Sequence, residues 1–230
     1  MIKAAIFDLD GTLYDYKTAH GEAWRALTAF VGEKLGIAPG RFEALHAEAD
    51  RVLRLRTGGG SAIHDRMLRY QLVLEQVGGP LALAPTMTEL YWSTLLNCMK
   101  SMPGAARALD RLRHMGLVIG IGTNMTADWQ YAKLIRLGLM EMIDFIVTSE
   151  EAGAEKPEKR LFDLCAEKAG CVPGDCAFVG DSLKGDALGA MGAGMHAVWL
   201  CTGPETGAPP PDGVLRIRSL EELPERLMTL

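Results

Sequence analysis

The sequence has no long apolar run, no closely spaced cysteine pair and no basic leader. No segment approaches the roughly 18 apolar residues of a membrane-spanning helix, and the N-terminus leads directly into a strand. The five cysteines form no Cys-x-x-Cys pair, and their odd number leaves one unpaired, so we expect reduced thiols. These absences predict a cytoplasmic protein that binds no membrane.

The sequence also has no basic stripe and no histidine cluster. The net charge is -5, and the lysines and arginines are scattered without interleaved aromatic residues, which argues against a nucleic-acid partner. The histidines lack the spacing of metal ligands, so we expect surface or packing roles for His20, His46, His64, His114 and His196. With 48% hydrophobic residues in a chain of 230, a substantial core is expected.

Two carboxylates follow the first apolar run of the chain. Asp8 and Asp10 come directly after Ala4-Ala5-Ile6-Phe7, where a strand buried in a parallel sheet should end. Ligands of open α/β sheets collect at such strand ends, and Gly11 lets the chain turn so that both carboxylates flank one phosphate. The alternative is an ordinary Asp-Gly turn.

Two further strand ends supply groups that suit a phosphate. Thr123 ends the apolar run 117–123 and Asn124 follows it, and their hydroxyl and amide can donate hydrogen bonds, although a helix cap is the alternative. Lys156 follows the run 145–149 and precedes Pro157, which suits a first helical turn. Its ammonium can neutralise a phosphate or a carboxylate, whereas most loop lysines are only solvated.

A fourth apolar run, 177–179, leads to Asp181 and Asp186, with a helix cap as the alternative role. If Asp8, Asp10 and Asp181 are ionised together, each pair at 4 Å repels by about 4 kcal/mol at an effective dielectric of 20. Such a cluster requires a cation. Oxygen donors completed by phosphate suit Mg²⁺ better than zinc, which prefers histidine or cysteine.

This order of strand ends resembles the haloacid dehalogenase superfamily, in its phosphatase branch with a helical cap inserted after the first motif. Asp8 to Thr12 resembles the first motif and Thr123 the second. Lys156 resembles the third, and Gly180 to Asp186 the fourth. Asp10 favours the phosphatases, because related dehalogenases lack an acid there. Gly185 departs from many relatives, which have Asn or Asp before the last carboxylate.

The resemblance implies a role for each of these residues. Asp8 is the nucleophile that forms an aspartyl-phosphate, and Asp10 is the general acid and base. Asp8, the Asp10 backbone carbonyl and Asp181 hold Mg²⁺. The phosphate is bound by Thr123, Asn124 and Lys156. Asp186 orients Lys156 or metal-bound water from outside the ligand set.

Between the first two motifs, the chain is helical throughout. Apolar residues at three- and four-residue spacing predict helices over 19–35, 41–55, 61–77 and 87–99. We therefore predict an α/β fold with two parts. Residues 1–15 and 103–230 form a Rossmann-like parallel sheet flanked by helices, and residues 16–102 form a helical-bundle cap.

Selectivity is expected to lie in that cap. Five arginines flank the glycine run 57–61, and some of them can reach a carboxylate or second anionic group of a substrate, while solvated helix faces account for most. They are Arg51, Arg54, Arg56, Arg66 and Arg69. Trp24 and Trp92 are expected in the core of the cap.

The sequence thus predicts a Mg²⁺-dependent phosphatase of a small phosphorylated metabolite, acting as a monomer or homodimer. Nucleotides, sugar phosphates and other small phosphates stay open as substrates. A phosphomutase of the same family is one alternative, because the motifs do not separate it from a hydrolase. A catalytically vestigial binding or regulatory module is the other.

Overall fold

The computed structural model describes residues 1–58, 60–203 and 209–230. The chain divides into two compact units, one formed by Met1–Asp15 with Lys100–Leu230 and the other by Tyr16–Met99. The first unit thus resumes at Lys100, where the sequence placed the boundary at residue 103. Their assignment as catalytic core and cap stays a prediction.

The second unit consists of four helices. They are α1 (Tyr16–Leu35), α2 (Pro39–Thr57), α3 (Arg66–Val77) and α4 (Leu83–Cys98). Helix α1 packs against α4, and α3 packs against both α2 and α4. Buried residues such as Leu27, Tyr70 and Leu95 recur on the inner faces, as expected for amphipathic helices in a bundle.

The helix predicted over 61–77 is interrupted at Asp65. A 3-10 turn over Ser61–His64 precedes α3, and the Asp65 carboxylate accepts a hydrogen bond from the backbone N–H of Leu68 at 3.1 Å. An aspartate that caps the next helix gives the chain an alternative to continuing the first one. Of the glycine run 57–61, Gly59 lies outside the described residues.

Most of the five arginines near the glycine run lie on solvated faces, as expected, and Arg66 and Arg69 are the exceptions. Both side chains are buried in the helical unit, whereas Arg51 and Arg54 are exposed. The reason is helical phase, because residues 66 and 69 lie on the same face of α3. Trp92 is buried as predicted, and Trp24 is only half-buried.

The first unit is built on a parallel sheet, as predicted, and this sheet has six strands. Its strands are β1 (Ala4–Phe7), β2 (Val118–Thr123), β3 (Phe145–Thr148), β4 (Cys176–Gly180), β5 (His196–Leu200) and β6 (Val214–Ile217). The spatial order is β3-β2-β1-β4-β5-β6, so the first strand lies at the centre. Phe7 pairs with Ile121 on one side and Val179 on the other. This register brings the carboxyl ends of β1, β2 and β4 to the same edge.

Helices cover this sheet. They are α5 (Ala105–His114), α6 (Ala127–Leu137), α7 (Ser149–Ala152), α8 (Lys159–Lys168), α9 (Leu188–Gly192) and α10 (Leu223–Leu227). Phe162 on α8 and Phe178 on β4 pack with ring centroids 4.9 Å apart. Together with Cys165 they form part of a continuous apolar core between α8 and the sheet.

Three local predictions need correction or limits. Pro157 lies in a turn and not in the first helical turn, because α8 begins at Lys159. Asp186 lies in a π-helical turn, Leu183–Ala187, that precedes α9. The segment 203–213, whose glycines and run of three prolines predict an exposed loop, includes residues 204–208, which lie outside the described residues.

All five cysteines are free thiols. In the described part of the chain, no helix combines the length and the apolar content that crossing a bilayer requires.

Candidate active site

The loop that follows β1 carries Asp8 and Asp10. Asp8 continues the pairing of β1, since its backbone N–H donates to the carbonyl of Val179 at 2.9 Å. Gly11 then adopts a φ of +89°, and a Cβ atom there would lie 2.5 Å from a carboxylate oxygen of Asp181. Only glycine fits this turn, both for its backbone and for the space that Asp181 occupies.

Lys156 joins two carboxylates at the centre of the site. Its ammonium lies 2.6 Å from Oδ1 of Asp8 and 2.7 Å from Oδ1 of Asp186, and it also donates to the carbonyl of Gly122 at 3.1 Å. The Lys156 side chain is only 6% exposed. One buried cation therefore serves two buried carboxylates, and a net negative charge remains around it.

Burial and the excess of negative charge shift the protonation of Asp8. Burial is the largest cause, and together with the Asp186 and Asp10 carboxylates it raises the pKa of Asp8 to about 7, against the attraction of Lys156. The carboxylates of Asp8 and Asp186 in turn raise the pKa of Lys156 despite its burial, so the lysine stays charged. Any additional cation near Asp8 would lower its pKa and favour the ionised, nucleophilic form.

Asp10 is held by three donors. The ammonium of Lys133 lies 2.6 Å and 2.9 Å from its two oxygens, the Tyr14 hydroxyl donates to Oδ1, and Nε2 of Gln130 donates to Oδ2 at 3.1 Å. Burial opposes ionisation, but Lys133, Tyr14 and Gln130 outweigh it and lower the pKa of Asp10. Asp10 is therefore ionised at neutral pH, which is the form that a general base requires.

Thr123 ends β2 and Asn124 follows it, and the neighbours of each side chain determine which of its atoms can donate to a ligand. The hydroxyl of Thr123 accepts a hydrogen bond from Nε2 of Gln130 at 2.6 Å, which leaves its own hydrogen to donate. The side-chain oxygen of Asn124 accepts from the backbone N–H of Lys156 at 2.9 Å. Its NH₂ group is then the part of the amide that a ligand can meet.

Asp181 follows β4 and completes an acidic group. Carboxylate oxygens of Asp8, Asp181 and Asp186 lie within 4.8 Å of one another. Gly180 allows this approach, since a Cβ atom there would lie 2.2 Å from an oxygen of Asp186. Burial, followed by the charge of Asp186, raises the pKa of Asp181 to about 6.

These carboxylates differ in what they can offer a metal. Asp186 already binds Lys156 through Oδ1, and its Oδ2 accepts a hydrogen bond from the backbone N–H of Ser182 at 2.9 Å. Asp181 is the most exposed of the three, and Asp8 has one oxygen beyond the one that Lys156 binds. An all-oxygen donor set of this kind fits a hard divalent cation.

The predicted site residues meet in one cavity. It has a volume of about 310 Å³, and its lining is Asp8, Asp10, Thr123, Asn124, Lys156, Asp181, Ser182, Gly185 and Asp186. The structure thus brings together every side chain for which a catalytic, phosphate or metal role was predicted. Whether each performs that role stays a prediction.

Sequence reasoning missed Lys133 and Gln130. Both are buried on α6, at positions three apart that share a face with Leu134. Polar side chains on the inner face of a helix that starts at a motif were the available signal. Tyr14, which follows the loop of Asp8 and Asp10, is also buried, and its hydroxyl donates to Asp10.

Comparisons of the chain with family models and with known proteins agree on one family. A family model described as haloacid dehalogenase-like hydrolase matches residues 2–194. A ribulose-1,5-bisphosphate 5-phosphatase from Halopiger xanaduensis is 35% identical over 86% of this chain and 84% of its own length. A glyceraldehyde 3-phosphate phosphatase from Methanopyrus kandleri is 34% identical over 86% of this chain and 83% of its own.

A solved structure agrees with this fold over the whole chain. The crystal structure of a 2-haloacid dehalogenase from Pseudomonas syringae pv. Tomato DC3000 is similar with a TM-score of 0.78 and 26% identity, covering all of this chain and 99% of that one. The fold is therefore shared by enzymes that cleave different bonds, and the site must decide between them.

Proposed function

We propose that this chain, which belongs to the haloacid dehalogenase-like hydrolases and is a phosphatase of that family, hydrolyses small phosphate monoesters through a phosphoryl group carried on Asp8. The family and the enzyme class predicted from the four motifs are confirmed. The residue roles, the metal and the identity of the substrate belong to the proposal.

The observation that carries the proposal is the pairing of Asp8 with Lys156 beside a separately held Asp10. A carboxylate in contact with a buried ammonium is positioned to attack, and the ammonium can also balance charge on a bound phosphate. A second carboxylate in the same cavity supplies proton transfer. Asp10 is the feature that favours phosphate ester over carbon–halogen cleavage, because an alkoxide leaving group needs a proton and a halide does not.

In the first step, a carboxylate oxygen of Asp8 attacks phosphorus and the bond to the ester oxygen breaks. Charge that develops on the phosphoryl oxygens meets Lys156 and the donors of Thr123 and Asn124. Asp10 gives a proton to the departing oxygen. Because Lys133 keeps Asp10 ionised in the free enzyme, the negative substrate phosphate must raise the pKa of Asp10 for this proton to be available.

In the second step, water attacks the phosphorus of the aspartyl-phosphate, and the bond to the Asp8 oxygen breaks. Asp10 takes the water proton as general base, the role for which its lowered pKa already suits it. Inorganic phosphate leaves, and the Asp8 carboxylate is restored. Atoms and charge balance over the two steps.

The proposed cofactor is Mg²⁺, held by Asp8, Asp181 and the backbone carbonyl of Asp10. When bound, it neutralises negative charge between the nucleophile and the substrate phosphate. The oxygen-only donor set supports this choice. Asp186 holds Lys156 and the backbone of Ser182, which supports its predicted role outside the ligand set.

The substrate class is a small phosphorylated metabolite. The two relatives named above act on phosphorylated sugars by their names, and a cavity of about 310 Å³ suits a ligand of that size. A cytoplasmic location, the absence of nucleic-acid and membrane partners, and a monomeric or homodimeric state stay predictions.

Product analysis tests the proposal against the phosphomutase alternative. The purified enzyme with Mg²⁺ should release inorganic phosphate from 4-nitrophenyl phosphate and from a panel of sugar phosphates in stoichiometric yield. An isomerised ester without free phosphate would instead support a mutase. No reaction with any ester would support a vestigial module.

Two variants test the role of the nucleophile. Asp8→Asn should lower turnover by at least about 10⁴-fold, since the nucleophile is lost while the fold is kept. The matched control is Asp163→Asn, which changes an exposed carboxylate on α8 and should leave turnover unchanged. Equal rates for Asp8→Asn and the parent would reject the nucleophile assignment.

A further inference from the structure

Gln130 is a completely buried amide on α6 that lies between two groups of the cavity. Its Nε2 lies 2.6 Å from the hydroxyl oxygen of Thr123 and 3.1 Å from Oδ2 of Asp10. The nitrogen of a primary amide carries two hydrogens, so it can donate to both acceptors at once. All three residues belong to the α/β unit. One side chain thus joins the proposed phosphate-binding hydroxyl to the proposed general acid and base.

The other end of this amide is unused. In the part of the chain that the structure describes, Oε1 of Gln130 is buried and has no hydrogen-bond partner. A buried polar atom without a partner is destabilising, and an apolar side chain of similar size would avoid that loss. The reverse orientation of the amide is excluded, because it would place Oε1 against the carboxylate of Asp10. The two donated hydrogen bonds are therefore what the glutamine contributes at this position.

The hydrogen bond from Gln130 determines where the Thr123 hydroxyl can donate. Because the Thr123 oxygen accepts from Gln130, its own hydrogen points away from the amide. The acceptor for that hydrogen is the backbone carbonyl of Asn124 at 3.5 Å, which is too long for a strong hydrogen bond. A phosphate oxygen that enters the cavity can therefore take this hydrogen at little cost. Gln130 keeps Thr123 available as a donor.

The two carboxylate oxygens of Asp10 differ in their contacts. Oδ1 accepts from the ammonium of Lys133 at 2.6 Å and from the Tyr14 hydroxyl, which occupies both of its lone pairs. Oδ2 has the longer contacts, 2.9 Å to Lys133 and 3.1 Å to Gln130. In a protonated Asp10, Oδ1 thus suits the carbonyl oxygen and Oδ2 the hydroxyl. That hydroxyl can donate to a substrate oxygen while it still accepts from Gln130.

We infer that Gln130 is a positioning residue, which aligns the proton-donating oxygen of Asp10, Oδ2, with the phosphate-binding hydroxyl of Thr123. The inference rests on the proposed function, in which Asp10 protonates the departing ester oxygen and Thr123 binds the phosphate. The proton moves from Oδ2 to the ester oxygen as the bond from that oxygen to phosphorus breaks, and Gln130 keeps both of its hydrogens. Alignment matters because a small misplacement of a catalytic group lowers the rate strongly.

Gln130→Met tests this alignment with two aryl esters. 4-Nitrophenyl phosphate has a leaving group that needs little protonation, whereas phenol, with a pKa of about 10 as in tyrosine, needs more. The variant should lose about 3- to 10-fold of kcat/KM for 4-nitrophenyl phosphate and at least about 10-fold more than that for phenyl phosphate. The inhibition constant of inorganic phosphate should rise by about 3- to 10-fold, because the Thr123 hydroxyl is no longer oriented.

A control variant separates alignment from general damage to the enzyme. Methionine removes the unpaired Oε1, and Asp10 keeps Lys133 and Tyr14, so the thermal midpoint should change by less than about 4 °C. Gln71→Met changes an exposed glutamine on α3 that donates to Glu75, and it should leave both esters and phosphate inhibition unchanged. Equal losses of kcat/KM for the two esters, or an unchanged inhibition constant, would overturn the role of Gln130.

Gln130→Glu decides if the methionine variant does not fold. Glutamate has nearly the same shape, but its carboxyl group carries at most one hydrogen and cannot donate to Thr123 and Asp10 together. It should therefore weaken phosphate inhibition and lower kcat/KM more for phenyl phosphate than for 4-nitrophenyl phosphate. Parental values for this variant would overturn the inference.

The activity of the parent enzyme distinguishes the two proposals. Phosphate release by the parent, together with Gln130 variants that match it, overturns the role of Gln130 alone. No phosphate release by the parent from either ester overturns the proposed function.

Discussion

The two units of the chain bury charge of opposite sign. In the α/β unit, carboxylates outnumber cations around the cavity, with Asp8, Asp10 and Asp186 buried or partly buried beside the more exposed Asp181, set against Lys133 and Lys156. In the described part of the helical unit, Arg66 has no carboxylate partner, and Arg69 shares Asp50 with Arg54.

The difference indicates how the buried charge of each unit is stabilised. An uncompensated buried charge destabilises a fold unless a ligand of opposite sign completes it. The excess of carboxylates in the α/β unit would be completed by a cation, whereas in the helical unit the tyrosines around Arg66 already favour its charged form.

Removal of divalent metal should have the largest effect on the α/β side of this comparison. Treatment with EDTA is expected to lower kcat by about 10³-fold or more, because several kcal/mol of charge stabilisation are lost. Mg²⁺ should restore activity, and Ca²⁺ should fail because its looser shell misplaces the nucleophile. Full activity after exhaustive chelation would show that Lys156 and Lys133 are sufficient cations.

Lys156→Met should destabilise the α/β unit by about 3–5 kcal/mol in EDTA at pH 8, since Asp8 and Asp186 lose their common cation. The pKa of Asp8 is already raised to about 7, and without Lys156 it rises further. A folded-state pKa above the unfolded value favours the folded state as pH falls. The deficit should therefore shrink between pH 8 and pH 5.5.

Urea denaturation at the two pH values measures that deficit. Lys159→Met is the matched control, because Lys159 pairs with Asp163 at the surface of α8 and should matter little. A deficit independent of pH would mean that the Asp8 and Asp186 carboxylates are not what Lys156 stabilises.

Lys133→Met tests whether Asp10 is tuned by its neighbour. Loss of this buried ammonium, which is 1% exposed, removes the main cause of the lowered pKa of Asp10. We expect kcat to fall about 10-fold at neutral pH and the acidic limb of the pH–rate profile to move to higher pH. A loss of activity without any shift of that limb would assign Lys133 a purely structural role.

The sequence predicted the strand-end residues because their signal is local. A short apolar run with Asp8, Thr123 or Asp181 at its end can be recognised within a stretch of about ten residues. The parallel sheet then brings those strand ends to one edge. The parallel fold and the family followed from this pattern and are confirmed.

The residues that support the site were not predicted, because their roles depend on helix rotation and packing. Lys133 and Gln130 lie among ordinary polar positions of α6, and only the fold shows that their face is buried on Asp10. The burial of Arg66, one of the five arginines singled out in the sequence, depends on the same geometry, since a helix one residue out of phase would place it in solvent.

Arg66→Met should have the smallest effect and is the sharpest test of the contrast. In the ligand-free protein, methionine removes a buried charge that has no carboxylate partner among the described residues, together with the contact with the Tyr91 ring and the hydrogen bond to the Tyr91 hydroxyl. Desolvation favours the variant and the two contacts with Tyr91 favour the parent, so we expect the free energy of unfolding to change by less than about 1 kcal/mol. Urea denaturation measures this beside Lys156→Met. A loss as large as that of Lys156→Met would show that its neighbours stabilise Arg66 as fully as carboxylates stabilise Lys156, and the contrast between the two units would then disappear.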